Sequence, residues 1–261
     1  MRRASRVPPS LRAPACAVLC AVAAALAPRG AAAQRGDWSS GYDDYTAPRD
    51  AAVDARGARR LSVQARAGFL RVRGVDGLTE VRVRGTARAS RRAALDGIRL
   101  VARREGDVVV VRADVPDGWG DDGVRALDLT LEVPRGIAAD VVDGSGELEI
   151  RGVGTLDLKD GSGEIRLEDV GPTRIEDGSG EIDVRDVRGD LRVSDGSGGI
   201  EVRGVRGSVI VERDGSGGID VHDVAGDLTV ERGRARGIDY AGVRGRVTLP
   251  SDGRARRTVW Y

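Results

Sequence analysis

Cysteine is almost missing from this sequence, and the two present, Cys16 and Cys20, both stand near its start. There is one histidine and one methionine, and aromatic residues make up only 3% of the chain. These scarcities leave nothing from which to build a Cys/His zinc site, a thiol nucleophile or a histidine general base with partners. A charge of one sign is also lacking. The 42 basic and 41 acidic residues nearly cancel, so no basic excess drives binding to a nucleic-acid backbone. Nor does any apolar run reach the ~18–20 residues that a membrane-spanning helix requires.

What is present begins with an address. Residues 1–33 read as a secretory signal: Arg2, Arg3, Arg6 and Arg12 form a basic start, Ala15 to Leu26 is a short apolar run, and Ala31-Ala32-Ala33 offers small residues for cleavage before Gln34. The residues before Cys20 (Ala17-Val18-Leu19) and Cys16 (Ala13-Pro14-Ala15) do not fit a lipid-attachment pattern. The expected mature chain is exported to the periplasm, cell surface or medium, without a disulfide, and rests on packing and backbone ladders. All five arginines of residues 1–33 would leave with the signal, making the remainder slightly acidic. Residues 34–59 lack hydrophobic periodicity and read as a disordered tether, with Trp38, Tyr42 and Tyr45 as an alternative short binding motif.

The dominant feature is a repeat. Asp-Gly-Ser-Gly begins at Asp143, Asp160, Asp177, Asp195 and Asp214, in steps of 17, 17, 18 and 19 residues. Between these tetrapeptides, aliphatic residues alternate with polar ones, as in Ile182 and Val184 and again in Leu191 and Val193. Such period-2 runs predict two short strands per unit, each with one buried face. The glycine pairs Gly144/Gly146, Gly161/Gly163, Gly178/Gly180, Gly196/Gly198 and Gly215/Gly217 are expected to form structural turns, with positive φ available to glycine. The repeat aspartates are expected to cap those turns through backbone N–H groups. A second turn in each unit often reads Val-x-Gly, with Gly152, Gly189, Gly207 and Gly226.

The pattern predicts an all-β fold, with each unit forming a coil of a β-solenoid. An antiparallel meander or sandwich is the alternative. The aliphatic residue inside the second turn (Val170, Val187, Val205, Val224) favours the solenoid, because every solenoid corner faces the core. One coil buries too little to stand alone, so several must stack. Residues 60–142 are β-rich but outside the strict period, and read as an irregular N-terminal part and cap, with a short helical turn over Ser90 to Asp96. Residues 143–261 read as regular coils closed by Val259-Trp260-Tyr261.

These residues resemble the bacterial putative-adhesin family, a domain-of-unknown-function family of exported repeat proteins, and are similar to auto-transporter adhesin head domains. The resemblance rests on Leu131-Glu132-Val133-Pro134-Arg135-Gly136, on the serial G-x-I/L-x-V coils from Gly146 to Val247, and on Gly68-Phe69-Leu70-Arg71-Val72. It covers about residues 60–261. It implies a β-helix-like fold and a surface or envelope role, with no catalytic residues to carry over.

Three chemistries could be sought in these residues. Calcium-binding glycine–aspartate rolls need a different register of glycine, aspartate and aliphatic residue. The column formed by Asp143, Asp160, Asp177, Asp195 and Asp214 remains a minor metal candidate beside turn capping. A polysaccharide-active enzyme would need one distinguished pair of carboxylates, whereas these recur with the period as solvated faces do, and His222 falls at an outward position. A glycan platform would need stacking aromatics, which are scarce. The sequence therefore predicts a non-enzymatic, cofactor-free protein that meets a surface or envelope ligand, does not bind nucleic acid, and has end-to-end self-association through its solenoid edges as a second mode. A periplasmic assembly scaffold is the alternative function.

Overall fold

A computed structural model describes residues 45–116, 123–232, 237–250 and 255–257. The expected signal, residues 34–44, the loop around Trp119 and the terminal Val259-Trp260-Tyr261 lie outside them. The described residues form an all-β solenoid of two facing sheets, with one short 3-10 turn at Arg92–Gly97.

The chain begins with β1 (Tyr45–Pro48), β2 (Ala51–Asp54), β3 (Arg60–Gln64), β4 (Leu70–Val75) and β5 (Glu80–Ala89). After the 3-10 turn come β6 (Arg99–Glu105), β7 (Val108–Asp114) and β8 (Arg125–Pro134). The coils then alternate between sheets: β9 (Ala138–Val142), β10 (Leu148–Arg151), β11 (Leu156–Asp160), β12 (Ile165–Val170), β13 (Thr173–Asp177) and β14 (Ile182–Val187). They continue with β15 (Leu191–Asp195), β16 (Ile200–Val205), β17 (Val209–Arg213), β18 (Gly218–Val224), β19 (Leu228–Val230), β20 (Gly237–Ala241), β21 (Val247–Thr248) and β22 (Ala255–Arg257). From β9 onward, even strands pair in parallel within one sheet and odd strands within the other.

The parallel register puts like on like. Ile165, Ile182, Ile200 and Ile219 stack in one row, and Leu167, Val184, Val202 and Val221 in the next. All are buried between the sheets, each contributing about 1.5–3 kcal/mol of apolar burial. The corner row Val170, Val187, Val205 and Val224 is buried and in register as well. Its inward aim depends on the residue before it. Asp169, Asp186 and Asp223 have φ of 51°, 56° and 57°, and Gly152, Gly204 and Gly242 have φ of 73°, 74° and 67°. One left-handed residue breaks the strict alternation, so the following aliphatic side chain turns back into the core. Aspartate is among the few non-glycine residues that tolerate this conformation, which explains why the position reads only Asp or Gly.

The coil order departs from chain order. The β3/β4 coil lies between the β7/β8 coil and the β9/β10 coil: Leu61 stands beside both Val109 and Ala139, and Leu70 beside both Leu129 and Leu148. The chain thus lays down an inner coil first, leaves to build the end of the stack, and returns past it. The end itself is antiparallel. β5 pairs with β8, β6 pairs with β7, and β1 and β2 both pair with the outer edge of β5. Residues 60–75 and 125–142, expected as irregular, are therefore in-register members of the stack, while the antiparallel cap spans 45–54 and 80–105.

The tether expectation does not hold for residues 45–59. Ala51 and Val53 face the core on β2, and Arg49 donates from Nε to the Ile98 carbonyl (2.9 Å) and from Nη2 to the Leu95 carbonyl (2.8 Å), clamping the 3-10 turn. The open edge of β5 supplies ladder partners that a local reading of the sequence does not reveal.

A partly buried ion pair helps tie cap to stack. Asp128 of β8, mostly buried, accepts from Arg88 of β5 at 2.6 and 2.9 Å and from the Phe69 N–H at 3.1 Å. Asp128→Ala is expected to destabilise the protein by about 2 kcal/mol, because it leaves a guanidinium and a backbone donor short of their acceptor. Urea denaturation checks this, and a loss below ~0.5 kcal/mol would show that the pair is a weak surface one.

Candidate functional site

The Asp-Gly-Ser-Gly turns return the chain from the odd-numbered sheet to the even-numbered one, and their aspartates form a single column. These aspartates are not solvated: Asp143, Asp160, Asp177, Asp195 and Asp214 retain only 1–8% exposure. The sequence carried the signal in its parity. Ile175 and Asp177, or Val193 and Asp195, are two apart on a strand and so share the inward face. In the fourth step the register slips by one at Val193/Ser194; that extra residue keeps Asp214 inside. The column ends at Ala65 and Ala113 on one side and at exposed Arg232 on the other.

Turn capping is only partial. The Gly144 N–H donates to Asp143 Oδ1 at 2.8 Å and the Ser197 N–H to Asp195 Oδ1 at 3.1 Å. Both carboxylate oxygens of Asp160, Asp177 and Asp214 are buried without a hydrogen-bond partner. Burial accordingly pushes all five carboxyls up: Asp143 to about 7 and Asp177 to about 6, with Asp160, Asp195 and Asp214 raised for the same leading reason. The next aspartate in the column adds to the rise for Asp143, Asp160, Asp177 and Asp195. Among the described residues, no group of three or more His, Cys, Asp or Glu side chains is placed to hold a metal ion.

Both glycines of each motif are needed for close approach: a Cβ would lie 1.8–2.4 Å from a carbonyl oxygen of the coil below at Gly144, Gly161, Gly178, Gly196 or Gly215, and 1.5–2.0 Å from one at Gly146, Gly163, Gly180, Gly198 or Gly217. Positive φ falls only on the second: 135°, 139°, 150°, 149° and 157° at Gly146, Gly163, Gly180, Gly198 and Gly217.

The outward face of the even-numbered sheet is a second candidate. One column runs Glu149, Arg166, Asp183, Glu201, Asp220, Asp239, and its neighbour runs Arg151, Glu168, Arg185, Arg203, His222, Ala241. Toward the capped end the pairs cross coils, as in Arg71–Glu149 at 2.7 Å and Arg166–Glu147 at 2.6 Å. Toward the other end they close within a strand: Arg185–Asp183 at 2.8 Å, Arg203–Glu201 at 2.6 Å and His222–Asp220 at 2.6 Å. His222 thus sits in an outward salt-bridge row, away from any nucleophile.

Beside these columns the face changes character. Glu147, Glu164 and Glu181 precede the first three of these strands, and Gly199, Gly218 and Gly237 take the equivalent place on the last three. Nothing lies within 4 Å of where a Cβ would stand on those glycines. The result is a shallow groove of about 340 Å³ across successive coils, bordered by Glu181, Glu201, Asp220 and Asp239. A separate cleft of about 570 Å³ is lined by Arg66, Arg112, Asp114, Val115 and Pro116. The groove was not among the sequence-based expectations, although the change from Glu147, Glu164 and Glu181 to Gly199 and Gly218 after successive Asp-Gly-Ser-Gly motifs was its signal.

No family model matches the chain, and no curated protein matches it. Solved structures are similar at low identity. A putative lipid binding protein from Parabacteroides distasonis is 14% identical with a TM-score of 0.46, covering 81% of this chain and 97% of its own. A putative adhesin from Bacteroides fragilis is 12% identical with a TM-score of 0.40, covering 82% and 97%. A putative cell adhesion protein from Clostridium sporogenes is 12% identical with a TM-score of 0.30, covering 82% and 100%.

Proposed function

We propose that this chain is an exported, non-enzymatic β-solenoid that binds an extended partner at the cell surface or within the envelope, in the manner of an adhesin. The observation that carries this reading is the open groove over Gly199, Gly218 and Gly237, which crosses several coils beside a row of acidic side chains. A groove that runs along the stack suits a linear partner better than a compact substrate. The outward carboxylates Asp183 and Glu201 are each engaged with an arginine two residues along the strand, which is the arrangement of a solvated surface more than of a reacting pair. The export pattern of residues 1–33 supplies the compartment.

External protease on intact cells tests the location. Cleavage is expected; protection until the outer membrane is disrupted would move the protein to the periplasm. Restoring a glutamate in the groove, Gly218→Glu, is expected to weaken attachment to surfaces or cells several-fold while leaving the thermal midpoint within about 2 °C. Unchanged attachment would remove the groove from the binding face. Turnover of a polysaccharide that one carboxylate variant abolishes would replace this reading with an enzymatic one.

The scaffold reading has one observation of its own. Among the described residues, one end of the stack is closed by antiparallel strands, whereas the last strands at the other are the short parallel β21 and β22. Sedimentation over a hundredfold range of concentration distinguishes them: a monomer throughout supports binding without end-to-end assembly.

A further inference from the structure

We propose that the column of Asp143, Asp160, Asp177, Asp195 and Asp214 is an acid-dependent lock on the solenoid: the stack is held tightest when neighbouring carboxyls share protons along the column, and loosens when all of them ionise. The geometry requires some form of neutralisation. Five carboxyl groups stand in successive coils about 4.8 Å apart, at least nine-tenths buried, and three of them have no hydrogen-bond partner for either oxygen. A buried carboxylate without a partner is strongly disfavoured, and the ordinary escape is to take up a proton. A neutral carboxyl then has the donor that a carboxylate lacks, and Asp177 and Asp195 are register neighbours in the column. A protonated column would thus form a ladder of the kind that stacked amide side chains make.

Among the described residues, those around the column are mostly uncharged or turned outward. The same strands contribute aliphatic side chains inward at Leu158, Ile175 and Val193. Lys159 and Glu176, each directly before a column aspartate, point outward and pair with each other at 2.9 Å. Ala65 and Ala113 bound the column at one end. Arg66 and Arg125 border the cleft beside Gly144 and Ser145, and each has interactions of its own. Arg232, at the other end, is exposed.

The direction follows from linkage. A group whose folded-state value lies above its unfolded one binds more protons when folded, so its stabilisation is complete below the unfolded value, near 4, and is lost as pH rises through the folded one. For Asp143 and Asp177 those folded values are about 7 and about 6, which places the loss between pH 4.5 and 7.5. Surface pairs act oppositely but lower: Glu176 is held below its usual value by Lys159 and Arg174, so its contribution fades only under more acidic conditions.

Thermal unfolding of the full chain between pH 4.5 and 7.5, with a chelator, is the test. The midpoint is expected to fall by roughly 5 °C or more as pH rises. Asp177→Asn combined with Asp195→Asn is expected to flatten that slope and raise the midpoint at pH 7.5, since the amide is a permanently neutral isostere. Infrared spectra provide an arm that needs no variant: the folded protein at pH 6 should show a protonated-carboxyl band that disappears on unfolding. A flat or rising wild-type midpoint, an absent band, or an unchanged slope in the variant would overturn the proposal. So would a midpoint at pH 7.5 that rises on adding calcium in wild type and not in the variant, which would make a cation the neutralising species.

Discussion

Replacing Gly180 with alanine is expected to unfold the solenoid, whereas the same change at Gly199 should pass almost unnoticed. Gly180 is the second glycine of an Asp-Gly-Ser-Gly motif, whereas Gly199 follows one, at the place that Glu147, Glu164 and Glu181 hold in other coils. At Gly180, φ is 150° and a Cβ would lie 1.6 Å from the Gly163 carbonyl oxygen, itself part of the backbone of the coil below. No rotamer change relieves that overlap. The two coils must separate, and with them the ladder bond from the Gly163 N–H to the Ser179 carbonyl at 3.0 Å. The cost is about 4 kcal/mol or more, the range reserved for backbone strain and broken packing. At Gly199 nothing lies within 4 Å and φ is not in the left-handed region, so alanine should change stability by no more than about 0.5 kcal/mol. Urea denaturation followed by circular dichroism reads both. Equal losses would mean that the turns do not pack as tightly as this stack requires.

The second large effect concerns coil order. A chain that begins at residue 80 is expected not to fold, while one that stops after residue 242, losing β21 and β22, should still unfold cooperatively. In a simple solenoid either end can be shortened, because each coil contacts only its neighbours. Here the first complete coil in sequence, β3/β4, lies inside the stack between β7/β8 and β9/β10. Its removal takes out the buried Leu61, Val63, Leu70 and Val72 and leaves two coils facing a gap. Those four side chains alone represent about 6–12 kcal/mol of burial, comparable to the whole stability of an ordinary domain. A chain beginning at Arg59 loses only β1 and β2 and is the control: it should fold with a modest loss and a greater tendency to aggregate through the uncovered edge of β5. Cooperative unfolding of the 80–261 chain would refute the interleaved order.

Much of this protein was determined by the sequence itself. Period-2 alternation set the strands and which side chains face inward; the spacing of Asp-Gly-Ser-Gly set the coil length; and a valine inside each second turn distinguished a solenoid from a meander. The burial of the repeat aspartates was determined too, by their parity with Ile175 or Val193, although their charge argues for a surface. Local chemistry suffices for these features because each is a property of one strand or one turn.

Only the tertiary structure decided what depends on neighbouring coils. The inward rows are aliphatic in every coil, so nothing in their composition says that β3/β4 belongs between β7/β8 and β9/β10. Residues 45–54 lack a strong pattern and become strands because β5 offers an open edge. The close approach that bars a side chain at Gly180 comes from a carbonyl oxygen of another coil, and the groove over Gly199, Gly218 and Gly237 exists only once three turns are stacked. The physical reason is the same in each case: alternation and turn propensity act along the chain, whereas coil order, close approach and the shape of a face come from contacts between segments that the sequence holds apart.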